Sequence, residues 1–218
     1  MQQHARARCP VGILEETRGS RGIIRSAVPV KLWMAEQPSV EAARPARCPA
    51  CGNAARPTGG ALGLHGHGSR RRQLRGPLEP DGESAVHEVK VRRFRCTACG
   101  ATATVAPATV LTKRLYLAST MALAFVLLGV RHLAQRAVRA RLSAWKTLGD
   151  GSSSRWDALL DWLNAVRERR LFPSVRAVPE GWPPWRIAER AATTLAALGP
   201  PGRTPLEAAA FEGAARAG

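Results

Sequence analysis

The unit C-x-x-C-G occurs twice, as Cys48-Pro49-Ala50-Cys51-Gly52 and as Cys96-Thr97-Ala98-Cys99-Gly100, with 44 residues between Cys51 and Cys96. No other feature restricts the fold as much. Each C-x-x-C turn offers two thiolates from one knuckle, and the glycine after the second cysteine lets the backbone turn away without a Cβ clash. Two knuckles fill a tetrahedral shell, so the expected cofactor is one structural Zn(2+) ion on Cys48, Cys51, Cys96 and Cys99, with no open position for catalysis. Disulfides or unconnected buried thiols are the alternatives. Residues 1–33 read without a secretory apolar core, which favours zinc. Cys9 has no C-x-x-C partner and reads as a spare thiol.

The charge of the chain points to its partner. Lys and Arg number 33 against 16 Asp and Glu, a formal net charge of +17, which suits polyanions such as nucleic acid or anionic lipid. By region the surplus is +3 over residues 1–39, +8 over 40–114, +5 over 115–170 and +1 over 171–218. It therefore travels with the cysteine pairs and the segment after them. Most of it is arginine, whose planar fork grips phosphate through two bonds where lysine offers a point charge. A genome rich in G and C would also enrich arginine, so charge alone does not identify the ligand.

Read in order, residues 1–45 form a poorly ordered extension, with Met34 a candidate for the true start. Residues 46–114 form a small β-rich zinc ribbon. Within it Val86, Val89, Val91 and Phe94 alternate imperfectly with charged residues, a strand that delivers Cys96 to the metal and turns Lys90, Arg92 and Arg93 outward. His65 and His67 read as solvated or phosphate-facing, since four cysteines already suffice. Leu115–Val130 is an uncharged apolar run of 16 residues, short of the roughly 20 that a helix needs to cross a membrane, so a buried core helix ending near Gly129 is expected.

A second helix follows with the stripe Val130, Leu133, Ala137, Ala140 and Ala144 and a flank of His132, Arg136 and Arg139. Gly149-Asp150-Gly151 breaks it. Ser154 with Asp157 then caps a third helix, in which Trp156, Leu159, Leu160, Leu163 and Val166 share one face. The three helices make residues 115–172 a helix-turn-helix-like bundle. A plain three-helix core fits equally well, because the 146–153 break is long and Asp157 and Asp161 would repel phosphate. Residues 173–218 read as a Pro-rich linker and short C-terminal helices: Arg186–Leu198, then one begun by a Thr204-Pro205-Leu206-Glu207 capping box, with a fraying end. Trp182 and Trp185 flank Pro183-Pro184 and either pin the tail or stack bases. The fold class is α+β.

Cys48-Pro49-x-Cys51-Gly52, then Leu64-His65-Gly66-His67-Gly68 with its arginines, then Val91-Arg92-Arg93-Phe94-Arg95-Cys96-x-x-Cys99-Gly100 resemble the amino-terminal zinc ribbon of bacterial insertion-sequence transposases and their orphan relatives. The likeness is close over residues 46–115 and loose to about 170. It implies a ribbon and a helix-turn-helix segment that together engage double-stranded DNA, without the ribonuclease-H-like nuclease domain of full transposases. The candidate phosphate contacts are Arg70, Arg71, Arg72, Arg75, Lys90, Arg92, Arg93 and Arg95, extended by Arg136 and Arg139. No pair among Asp150, Asp157, Asp161, Glu168, Glu180, Glu189, Glu207 and Glu212 has the strand-end setting of two-metal chemistry, so catalysis is not expected. A cytoplasmic DNA-binding protein is the leading reading. A small or remnant transposase with strand-transfer activity and a membrane-anchored zinc-ribbon protein are the alternatives.

Overall fold

A computed structural model of the chain describes residues 23–144 and 156–217. It is α+β: among these residues lie a four-stranded mixed sheet and six α-helices. The strands are β1 (Ile23–Ser26), β2 (Leu64–Gly76), β3 (Ala85–Cys96) and β4 (Thr102–Pro107), in the order β1-β4-β3-β2. β1 pairs parallel with β4, and β3 pairs antiparallel with β4 in the register Arg92 to Val105 through Arg95 to Thr102. Two compact units divide the chain: residues 23–70 with Lys90–Pro107, and Arg71–Val89 with the residues after Pro107.

The first unit is built around the knuckles but has a core of its own. Ile24, Trp33, Leu64, Val91, Phe94 and Val105 are buried, and Trp33 on α1 (Val30–Ala35) donates its indole N–H to the Lys90 carbonyl at 2.9 Å. Arg44 is buried as well. Its guanidinium lies 5.6 Å from the Phe94 ring centroid, donates to the Leu64 carbonyl and pairs with Glu41 at 2.5 Å, and Glu41 also pairs with Arg56. The expected extension over residues 1–45 is thus corrected at its end: β1 and α1 belong to this unit, because a parallel edge strand and a large indole bury apolar area that β3 and β4 leave open. A chain begun at Met34 would lack both β1 and Trp33.

The second unit is helical. α2 (Ala118–Phe125) is buried at all eight positions and passes into a π-helical turn, Val126–Val130. α3 (Gln135–Leu142), α4 (Ala158–Arg167), α5 (Pro184–Ala197) and α6 (Leu206–Gly213) share one apolar core with α2. Tyr116, Trp156 and Trp162 meet edge to face, with centroids 5.0 to 6.1 Å apart, and Phe125 meets Phe172 in the same way at 6.2 Å. The apolar run forms the expected buried helix, and among the described residues no helix is long and apolar enough to cross a membrane.

Several helical expectations are corrected. The buried stripe of α3 is Val138 and Leu142, not the alanines at 137, 140 and 144, because larger aliphatic side chains gain more by leaving water. On α4 Trp162 is buried, while Leu160 is 40% exposed. The segment beyond Phe172 is no linker: Ile187, Ala188, Ala191, Ala192 and Leu195 on α5 and Ala210 and Phe211 on α6 lie in the core, and Ala217 is buried rather than frayed. α6 has no capping box. Its N-cap is Pro205 without a side-chain bond, and Glu207 instead accepts from Arg131 at 2.6 Å. Gly129 does not end a helix so much as admit one. A Cβ there would stand 2.2 Å from the Glu189 nitrogen on α5. Cys9, the glycine break near Asp150 and the Ser154 cap lie outside the described residues.

Candidate metal centre

The two knuckles repeat one backbone pattern. In the first, the Cys48 N–H donates to the Asn53 carbonyl at 2.8 Å and the Gly52 N–H to the Cys48 carbonyl at 2.8 Å; in the second, Cys96 donates to Ala101 at 2.9 Å and Gly100 to Cys96 at 3.0 Å. Gly52 and Gly100 close these turns at φ 71° and 70°, in the left-handed region that favours glycine. A bridge between Arg47 and Ala54 zips the base of the first knuckle, and the β3–β4 hairpin carries the second. Gly63 ties them together. Its carbonyl accepts from the Thr97 N–H at 3.0 Å and the Thr97 hydroxyl at 3.2 Å, and a Cβ on it would fall 2.1 Å from the Ala54 oxygen.

This framework brings the four sulfurs of Cys48, Cys51, Cys96 and Cys99 within 4.8 Å of one another. Cys48 Sγ lies 3.8 Å from Cys99 Sγ, and Cys51 Sγ lies 3.7 Å from Cys96 Sγ. A tetrahedron with metal–sulfur bonds of about 2.3 Å has edges of about 3.8 Å, so these spacings are those of thiolates around one ion. They are far from the roughly 2.05 Å of a disulfide, and all four cysteines are free. Cys48 and Cys96 are buried while Cys51 and Cys99 are exposed. The thiols share charge unequally. Burial raises Cys96, but the N–H groups of Cys99 and Ala98 and the thiols of Cys51 and Cys99 outweigh it and bring Cys96 down to about 7. The Asn53 N–H lowers Cys51, yet the Cys99 thiol, loss of solvent and then the thiols of Cys96 and Cys48 push it up to about 12. A metal ion must displace the remaining protons, so binding releases protons and weakens in acid. His65 and His67 are exposed on β2 and stand outside the group.

The ten basic candidates divide by what their side chains already do. Arg70, Lys90, Arg95 and Arg136 are exposed, and Arg93 and Arg139 half-buried. Arg71 is exposed and lies 3.5 Å from Glu88. Arg92 donates to the Pro38 carbonyl at 2.9 Å. Arg72 is a structural residue: its guanidinium donates to the Leu111 carbonyl at 3.0 Å and the Arg114 carbonyl at 3.3 Å, holding the turn after β4. The side chain of Arg75 is half-buried and reaches Gln73 at 3.4 Å. Sequence reasoning missed Gly63, Arg44 and Trp33, whose roles depend on partners distant along the chain.

Comparison of the chain with family models, with curated proteins and with solved structures gives no match.

Proposed function

We propose that the chain is a zinc-ribbon DNA-binding protein, resembling the recognition part of a bacterial insertion-sequence transposase, in which one structural zinc ion stiffens a basic sheet that grips duplex phosphates. The observation that carries this reading is the four-sulfur cluster, set at the end of a strand with two exposed cations, Lys90 and Arg95. Four thiolates suit zinc, and a closed shell assigns the ion to structure rather than chemistry. Arg70 on β2 adds a third exposed cation of the same unit, with Arg93 beside them in sequence. Arg136, exposed, and Arg139, half-buried, are the candidate phosphate contacts that α3 offers in the helical unit taken by itself. Among the described residues the four cysteines are the group able to hold a metal ion, and the proposed role is binding rather than cleavage.

The test is a duplex-binding titration at several salt concentrations with the zinc-loaded chain. Each phosphate neutralised contributes about 0.9 to the slope of log affinity against log salt, so replacing Arg70, Lys90 and Arg95 by alanine lowers the slope by at most about 2.7. Elemental analysis gives one zinc per chain. Less than that with intact thiols rejects the metal, and no duplex affinity at low salt rejects the DNA reading. Nicking of supercoiled DNA with magnesium, abolished by one carboxylate substitution, would replace binding by catalysis.

A further inference from the structure

The two tryptophans flanking Pro183 and Pro184 have different surroundings. Trp182 is half-buried, and the guanidinium carbons of Arg186 and Arg190 lie over its ring at 4.5 and 4.2 Å from the centroid. That ring is already occupied by two cations. Trp185 is 44% exposed, and its ring meets His132 edge-on at 5.8 Å and 70°. His132 is exposed and held in the left-handed region at φ 51°. The residues on either side of it are tied into the π-helical turn, Arg131 donating to the Val126 carbonyl at 3.0 Å and Leu133 to the Leu127 carbonyl at 2.9 Å. The backbone that carries the imidazole is therefore held in place, and the ring packs edge-on against an indole that is partly open to water.

We propose that Trp185, supported by His132, is a stacking platform for an unpaired nucleobase, with Arg186 and Arg190 taking phosphates of the same strand. An exposed, orientated indole offers a flat face that any base can cover, and beside cations this pairing of stacking and charge is how single strands are held. Among the described residues no carboxylate lies within ion-pair distance of Arg186 or Arg190; Arg190 donates to the Ala177 carbonyl at 3.0 Å and both guanidinium groups cover the Trp182 ring, contacts that hold the two cations in place without neutralising their charge. Glu207 is engaged by Arg131, which leaves Glu189 as the acidic residue between the two arginines on α5. An apolar protein partner covering Trp185 would have to desolvate these cations, whereas a nucleic acid strand neutralises them. The inference deepens the DNA-binding reading and rests on it for the choice of polyanion. It adds a second site, selective for frayed, gapped or tailed DNA.

The experiment compares the zinc-loaded full chain on a blunt duplex, on the same duplex with a single-stranded tail carrying 2-aminopurine, and on the tail strand alone. The wild-type chain binds the tailed duplex more tightly than the blunt one and quenches the 2-aminopurine. W185A lowers affinity for the tailed duplex by about 5- to 150-fold, the range seen when a base-stacking aromatic is truncated, abolishes the quenching and leaves the blunt duplex unaffected. W185F keeps most of both signals. Circular dichroism checks the fold, and if W185A fails to fold, H132G takes its place with partial loss of quenching expected. Equal binding of tailed and blunt duplex, unmoved by W185A, overturns this site while DNA binding stands. Trp185-dependent binding of the single strand without any duplex affinity sustains the site and removes the duplex reading. Binding of no probe removes both. Self-association of the chain without nucleic acid that W185A abolishes makes this face a protein interface and overturns the proposal.

Discussion

Arg44 shows what holds a cation inside the first unit. Its side chain is only 6% exposed, yet Glu41, the carboxylate it pairs with, is 57% exposed, so the guanidinium is kept inside chiefly by the Leu64 carbonyl and the Phe94 ring. Arg44→Leu leaves that carbonyl without its donor and is expected to cost about 2–4 kcal/mol in urea denaturation. Arg56→Leu removes an exposed ion pair to the same Glu41 and costs under about 1 kcal/mol. A second residue-scale expectation concerns Glu207. The Arg131 hydrogen bond holds its carboxyl below the ordinary range against the opposing effect of burial. Stability from this group is present above the unfolded value of about 4.3 and is lost as pH falls through the lower folded value. Arg131→Met returns the Glu207 titration upward, which carboxyl NMR would follow; an unmoved titration would refute the link. Single residues were legible in the sequence where chemistry is local, as with the cysteines. Arg72 reads as one more surface cation because nothing nearby in sequence reveals its two carbonyl acceptors, Leu111 and Arg114.

At the level of elements, glycines decide how closely α5 is approached. A Cβ at Gly129 would meet the Glu189 nitrogen at 2.2 Å and its Cα at 2.6 Å, and one at Gly213 would meet the Leu195 oxygen at 1.8 Å. The obstacles are backbone atoms, which no rotamer change removes. Gly129→Ala is therefore expected to destabilise the helical unit by about 1–3 kcal/mol, read as a lowered thermal midpoint, although the same change in an open helix would stabilise it. An unchanged or raised midpoint would show that α5 can move aside. The apolar run before Gly129 was readable as a buried helix since it carries no charge over 16 residues. The phase of α3 was not, because alanines mark no face strongly and Val138 with Leu142 is a short signal. α5 is amphipathic in sequence, but only its packing reveals a core helix rather than a tail.

For the whole molecule, the two units have separate sources of stability. The helical unit has a continuous apolar core, while the first unit joins a small core to the four-sulfur cluster. Metal binding to such a site is part of its folding free energy. Removing the ion with a chelator is expected to loosen residues 46–64 and 94–102 and to raise hydrogen exchange at the Trp33 indole, whose acceptor is the Lys90 carbonyl. Protection within α2 and α5 is expected to persist. Loss of protection in both units together would show that they fold as one. The α+β class and the cluster were legible because cysteine spacing is a covalent, countable signal. The strand before the knuckles was not, since four residues without a long alternating pattern become a strand only against β4.

That strand also imposes an order on synthesis. Ile23 pairs with Thr104 and Ser26 with Pro107, so β1 and its partner are separated by most of the first unit. At about 5–20 residues per second, a ribosome releases β1 several seconds before β4 emerges. Through that interval the nascent strand has no edge to join, and the first knuckle waits beside it for its two missing sulfurs. Cys99 and Thr104 then leave the tunnel almost together. Capture of the ion and closure of the sheet thus fall in one short window of synthesis.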